Sequence, residues 1–208
     1  MALRADWIAG ERARGMMVLN TADQENHMTT ATLSLTSFIT QPKGPAGFDI
    51  GSRTRIIVAL VGITLTSLTV IALTRGALGF APSHPNIREL AIALHVTTVL
   101  PAIPLGAYLL LAPKGGKRHK QLGKLWIGLM LTTATSAIFI QTGGGFSFIH
   151  IFIPMTFWAS YKVIKTARNG DMVGHKKEIM SLYLGALTIP GIVAFALPGR
   201  LMNVWLFW

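Results

Sequence analysis

The sequence predicts an all-α integral membrane protein: one leading transmembrane helix followed by an antiparallel four-helix transmembrane bundle. Three observations point there. The chain of 208 residues is 51% hydrophobic and 13% charged, a composition of membrane proteins rather than soluble domains. Apolar stretches recur at residues 56–74, 90–112, 125–142, 146–164 and 179–197, each near the roughly 20 residues that cross hydrocarbon. None contains an acidic residue, since Glu89 and Glu178 stand only at edges. In lipid, only helices and closed barrels satisfy the backbone internally.

Residues 1–52 carry charged and small polar residues and a Gln41-Pro42-Lys43-Gly44-Pro45 turn cluster, and read as a largely disordered cytoplasmic tail. Asp6 and Glu11, with no apolar run beside them, argue against a secretory signal at the start. Residues 53–200 form the expected five-helix domain, with spans at about 56–74, 90–112, 120–142, 146–165 and 176–197. The loop 75–88 holds Gly, Pro and Ser and reads as an external turn. The loops 113–117 and 168–174 are short and polar, which makes their flanking helices antiparallel neighbours. Glycines 143–145 form a tight turn between spans; with no Lys-Ser/Thr after them they are not a phosphate loop. Residues 201–208, with Trp205 and Trp208, read as an interfacial anchor. Pro101, Pro104, Pro154 and Pro190 fall inside spans, where each removes a backbone donor. Pro154 is expected to release the carbonyl of His150, four residues earlier.

The net charge of +11 has a topological explanation. With a cytoplasmic N-terminus, Arg53, Arg55, Lys114, Lys117, Arg118, Lys120, Lys124, Lys162, Lys165, Arg168, Lys176 and Lys177 all fall inside, and only Arg75, Arg88 and Arg200 outside. That asymmetry is the positive-inside rule, so no nucleic acid is needed to explain the basic balance. The expected location is the bacterial inner membrane, multi-pass, with the C-terminus periplasmic. There is no cysteine, which removes disulfides, iron–sulfur clusters and covalently attached haem.

Six histidines occur. His27 lies in the tail and His84 in the first loop, both as surface residues. The other four fall one per helix on the last four helices: His95 and His150 toward the outer level, His119 and His175 at the inner ends. Intramembrane imidazoles are costly without partners. In an up-down-up-down bundle the first and third core helices are diagonal, as are the second and fourth. Helices packed about 10 Å apart put diagonal axes roughly 14 Å apart, room for His–iron–His ligation across a porphyrin. Seventeen residues separate His95 from Ala112, about 25 Å of helix, so two such centres bridge most of a bilayer. Gly106, three turns beyond His95, leaves space for the inner porphyrin, and Ala137 for the outer one. Arg118 and Lys176 are candidate partners for inner propionates, and Arg88 and Arg200 for outer ones. The metal ligands are thus His95, His150, His119 and His175, and the cofactor two non-covalent b-type haems. Two-by-two histidines do not converge as zinc requires. No HExxH motif occurs and no carboxylate lies within the apolar stretches for proton-relay chemistry.

The segments LHVTTVLPAIPLG at 94–106, HKQLGKLWIGLMLTTATS at 119–136, GFSFIHIF at 145–152, GHKKEIMSLYLGAL at 174–187 and LPGR at 197–200 resemble an uncharacterised bacterial membrane-protein family, number 2306 in the domain-of-unknown-function series. More distantly, the order and placement of His95, His119, His150 and His175 resemble the cytochrome b561 group. That resemblance implies two bis-histidine haems, His95 paired with His150 and His119 with His175. This chain has one helix before the core and no evident ascorbate or ferric-chelate site.

The expected function is therefore transmembrane electron transfer between a quinol or soluble donor and an acceptor. If enzymatic, it is a cytochrome b561-like membrane oxidoreductase. Its expected partners are the lipid bilayer and a quinone or redox protein, within a larger membrane complex or a homodimer. The alternative is a cofactor-free accessory or assembly subunit of a larger membrane complex. A transporter is weaker, for want of helices and intramembrane carboxylates.

Overall fold

The computed structural model describes residues 50–82, 90–141 and 145–208, all within one compact unit, Pro42–Trp208. The expected tail as far as residue 49, with His27, as well as His84, Arg88, Gly143 and Gly144, lies outside the described residues.

Every regular element among the described residues is helical. Helix α1 spans Ser52–Ala77, α2 Leu90–Leu111 and α3 Lys117–Ile138. A 3-10 turn, Phe148–Ile151, leads into α4, Phe152–Arg168. Helix α5 runs over Met172–Ala196 and α6 over Leu201–Phe207. Three of these, α1, α2 and α5, are long and apolar enough to cross a membrane.

The other two expected spans are shorter in apolar residues. Helix α3 opens on Lys117, Arg118, Lys120 and Lys124, and α4 has 17 residues closing on Lys162, Lys165 and Arg168. Their boundaries also differ from expectation. Helix α3 stops at Ile138 rather than near 142, and α4 starts at Phe152 rather than near 146. Pro154 therefore stands in the first turn of α4, where the missing N–H costs nothing. The His150 carbonyl is not released, because it accepts the Phe152 N–H. Helix α2 continues unbroken through Pro101 and Pro104.

The buried positions of α1 are Arg55, Val58, Gly62, Leu65, Thr69 and Ala72, alternating steps of three and four that hold one stripe against its neighbours. The outward face carries Ile56, Ile57, Leu60, Ile63, Val70 and Ile71, all exposed. Helix α4 buries Thr156, Ala159, Ser160 and Val163 while exposing Phe157, Trp158, Tyr161 and Ile164. Small residues inside and large apolar ones outside suit helices packed in lipid, where close backbone approach replaces hydrophobic collapse.

Side-chain contacts fix the direction of packing. Along α2 and α3, His95 meets Thr133, Ala102 meets Trp126, and Tyr108 meets Arg118, so the two are antiparallel. Between α4 and α5, Lys162 meets Glu178 and Val163 meets His175, again antiparallel. Arg55, only 1% exposed, donates from Nη2 to the Leu111 carbonyl at 3.0 Å, joining the start of α1 to the end of α2. That bond satisfies one of the carbonyls a helix leaves unpaired at its C-terminus.

Helix α5 is not uniform. Its middle, Ser181–Thr188, is wound as a π-helix, with the Thr188 hydroxyl donating to the Tyr183 carbonyl at 2.9 Å. Pro190 follows at once and has no N–H to give, and a widened turn is one way a helix absorbs that loss. The C-terminal residues, expected as an interfacial anchor, form α6, which packs on the end of α1. Arg75 donates from Nε to the Trp205 carbonyl at 3.0 Å, and buried Asn203 donates to the Phe195 carbonyl at 2.7 Å. Trp205 is buried against Gly76, whereas Phe207 and Trp208 are exposed.

Candidate functional site

A cavity of about 250 Å³ lies at the end of the molecule opposite the lysine-rich helix ends, and His95 and His150 both line it. Its wall is mostly apolar, with Ile103, Met130 and Phe195 among the lining residues, and it also takes in Ala137, where space was expected. Arg200, just ahead of α6, contributes the cationic group of the lining.

The two imidazoles are held differently. His95 lies within 3.1 Å of the Thr133 carbonyl through Nδ1, and the Ser136 hydroxyl is 3.3 Å from the same nitrogen. A carbonyl only accepts, so Nδ1 carries the proton and Nε2 keeps its lone pair. Thr98 and Thr133 share a 2.8 Å hydroxyl contact beside it. This orientation, a backbone carbonyl fixing the far nitrogen, is how metal-bound histidines are usually set. The polar group of Thr98, Thr133 and Ser136 was not singled out from the sequence. It was legible as the run Thr132-Thr133-Ala134-Thr135-Ser136 inside an otherwise apolar span.

His150 is not inside a helix but in the 3-10 turn. Its Nδ1 accepts the Ser147 backbone N–H at 2.9 Å, and its Nε2 donates to the Ile140 carbonyl at 3.1 Å. The Phe146 ring stands edge-on at 4.9 Å between centroids. Both ring nitrogens are therefore engaged, and this imidazole ties the turn to the end of α3. Ligation of iron by His150 requires release of the Ile140 carbonyl.

His119 and His175 sit in the first turns of α3 and α5, at the lysine-rich end. They are close enough for the charge of one to oppose that of the other. Burial, then His175, then Lys114 hold the His119 pKa below the usual histidine range. His119 Nδ1 is buried without a hydrogen-bond partner. His175 donates from Nδ1 to the Val163 carbonyl at 3.0 Å, leaving its lone pair on Nε2. The ring nitrogens thus suit a ligand-binding role.

The space beside them does not suit a porphyrin. The clearance expected at Gly106 is filled: a Cβ there would meet Trp126 Nε1 and Tyr183 Cδ2, each at 2.7 Å. Trp126 and Tyr183 are essentially fully buried, 6.5 Å apart between ring centroids, and Trp126 donates to the Ala102 carbonyl at 3.0 Å. The glycine serves packing of two aromatic rings. Of the expected propionate partners among the described residues, exposed Arg118 lies over the Tyr108 ring at 5.6 Å, Lys176 is half-buried at the start of α5, and Arg200 lines the cavity.

For haem, then, the donor set at the His95–His150 level fits and the apolar lining fits. The cavity itself is smaller than the roughly 300–1,000 Å³ of most small-molecule sites, so its walls must part to admit a macrocycle. At the His119–His175 level the ring nitrogens fit and the packing does not. Among the described residues no three histidines or carboxylates gather as a metal site. No protein-family model, curated protein or solved structure matches this chain.

Proposed function

We propose that the chain is a multi-pass membrane protein that passes single electrons through non-covalently bound b-type haem, which His95 and His150 would hold. The observation that carries the reading is that both histidines, distant in sequence and borne by separate elements, line one apolar cavity. In this reading α3 and α4 also cross the bilayer, completing four helices behind α1. The lysine-rich ends face the cytoplasm by the positive-inside rule.

Haem bound in the cavity supplies a one-electron iron centre whose potential follows ligation and burial. The chain's own residues orient and exclude. Thr133 holds the His95 ring so that Nε2 is available, and the apolar wall keeps water out. Arg200 supplies a positive charge where an anionic substituent would lie. The second haem expected at His119 and His175 requires Trp126 and Tyr183 to vacate the space against Gly106, so electron transfer is assigned to the outer site alone. The donor is a quinol or a soluble reductant.

A cofactor-free accessory subunit is the second reading. It is favoured by the engagement of both His150 nitrogens and by the closed aromatic packing at Gly106. Absorption spectroscopy of the purified protein separates the two. A b-type spectrum that disappears in His95→Ala supports the first, and colourless protein from haem-replete cells supports the second.

A further inference from the structure

A shallow groove runs along the outer face between α3 and α4 and shares Ile153 with the wall of the histidine cavity. Ile138 of α3 and Ile153, Phe157, Trp158 and Tyr161 of α4 line it, and Lys165 closes one end. Phe157, Trp158 and Tyr161 are exposed by 40%, 62% and 52%, so no part of the described chain covers this surface. The two larger rings lie 5.8 Å apart, and the Lys165 ammonium stands 5.7 Å over Tyr161.

Charge and length together select an occupant. The groove is apolar over most of its run and cationic only at the Lys165 end, where Arg168 follows. Lys162 beside it is neutralised by Glu178 at 3.2 Å, whereas among the described residues no carboxylate pairs with Lys165 or Arg168. From Ile153 to Lys165 the helix rises about 18 Å, close to the ~15 Å hydrocarbon depth of one leaflet. A lysine at such a boundary directs its ammonium toward headgroups while its stem covers apolar surface.

We infer that this groove is a binding site for an anionic phospholipid, one acyl chain lying along Ile153–Tyr161 and the phosphate paired with Lys165. The site is independent of any haem and rests only on the chain crossing a bilayer. Attraction of an anionic lipid to one cation near the surface corresponds to about a fivefold preference over a zwitterionic lipid.

The test uses the full chain in phosphatidylcholine vesicles containing acyl-brominated phosphatidylglycerol or acyl-brominated phosphatidylcholine at matched mole fraction. The signal is the quenching of Trp158, obtained by subtracting the emission of a Trp158→Phe variant. The expected result is roughly fivefold preferential quenching by the brominated phosphatidylglycerol, retained in Lys165→Arg, lost in Lys165→Gln, and weakened by salt in the unmodified chain. Equal quenching by the two lipids, or a preference that survives Lys165→Gln, overturns the assignment.

Discussion

His95 and His150 line the same cavity, yet only His95 offers a ring nitrogen without a partner, because His150 Nε2 already donates to the Ile140 carbonyl. The pair is thus asymmetric before anything binds. His150 contributes to structure through two hydrogen bonds, and His95 does so through Nδ1 with Nε2 in reserve.

That asymmetry predicts different effects on the haem-free protein. His150→Ala loses the bonds to Ser147 and Ile140, each worth about 1 kcal/mol net, and lowers stability by roughly 1–2 kcal/mol. His150→Asn, which retains a donor and an acceptor, recovers part of the loss. Thermal unfolding in detergent, followed by tryptophan emission, measures both. Unchanged unfolding of His150→Ala would show that the imidazole does not anchor the turn.

Gly106→Ala tests the aromatic packing. Its methyl would meet Trp126 and Tyr183 at 2.7 Å, against buried rings that have no open side. Overpacking of this kind costs about 1–3 kcal/mol, so the unfolding midpoint should drop. A neutral Gly106→Ala would mean that the space beside Gly106 is open, and would restore the case for a second porphyrin there.

His119 gives the protein a pH dependence of defined sign. Its folded pKa lies below the ordinary 6.5, so the unfolded chain binds the proton more readily. Stability is full above pH 6.5 and declines as the pH falls below it. His119→Gln should flatten that acid limb while leaving stability near pH 8 little changed. An acid limb of equal steepness in His119→Gln would assign the effect elsewhere.

Much of this arrangement was legible in the sequence, and the failures have physical causes. Acid-free apolar runs and bracketing lysines marked the helices, and α1, α2 and α5 are long and apolar enough to span. The ends of α3 and α4 were misplaced because Phe139–Ile140 and Phe146–Ile151 are as apolar as a helix interior. Hydropathy alone does not tell an apolar turn from a helix. His150 was thereby expected within the helix, whereas it stands in the 3-10 turn ahead of α4.

The Gly106 space was misread for another reason. Spacing along α2 places Gly106 on the His95 face, but nothing local reveals that Trp126 and Tyr183 reach it from two other helices. Likewise the helical nature of the tail depends on Trp205 finding Gly76 and Arg75, a contact 130 residues apart.

The most direct measurement is the absorption spectrum and haem content of the full chain purified from haem-replete membranes, beside its His95→Ala and His119→Ala variants. The expected result is a b-type spectrum from one haem per chain, abolished by His95→Ala and kept by His119→Ala. A colourless parent protein, or haem content untouched by His95→Ala, would contradict it.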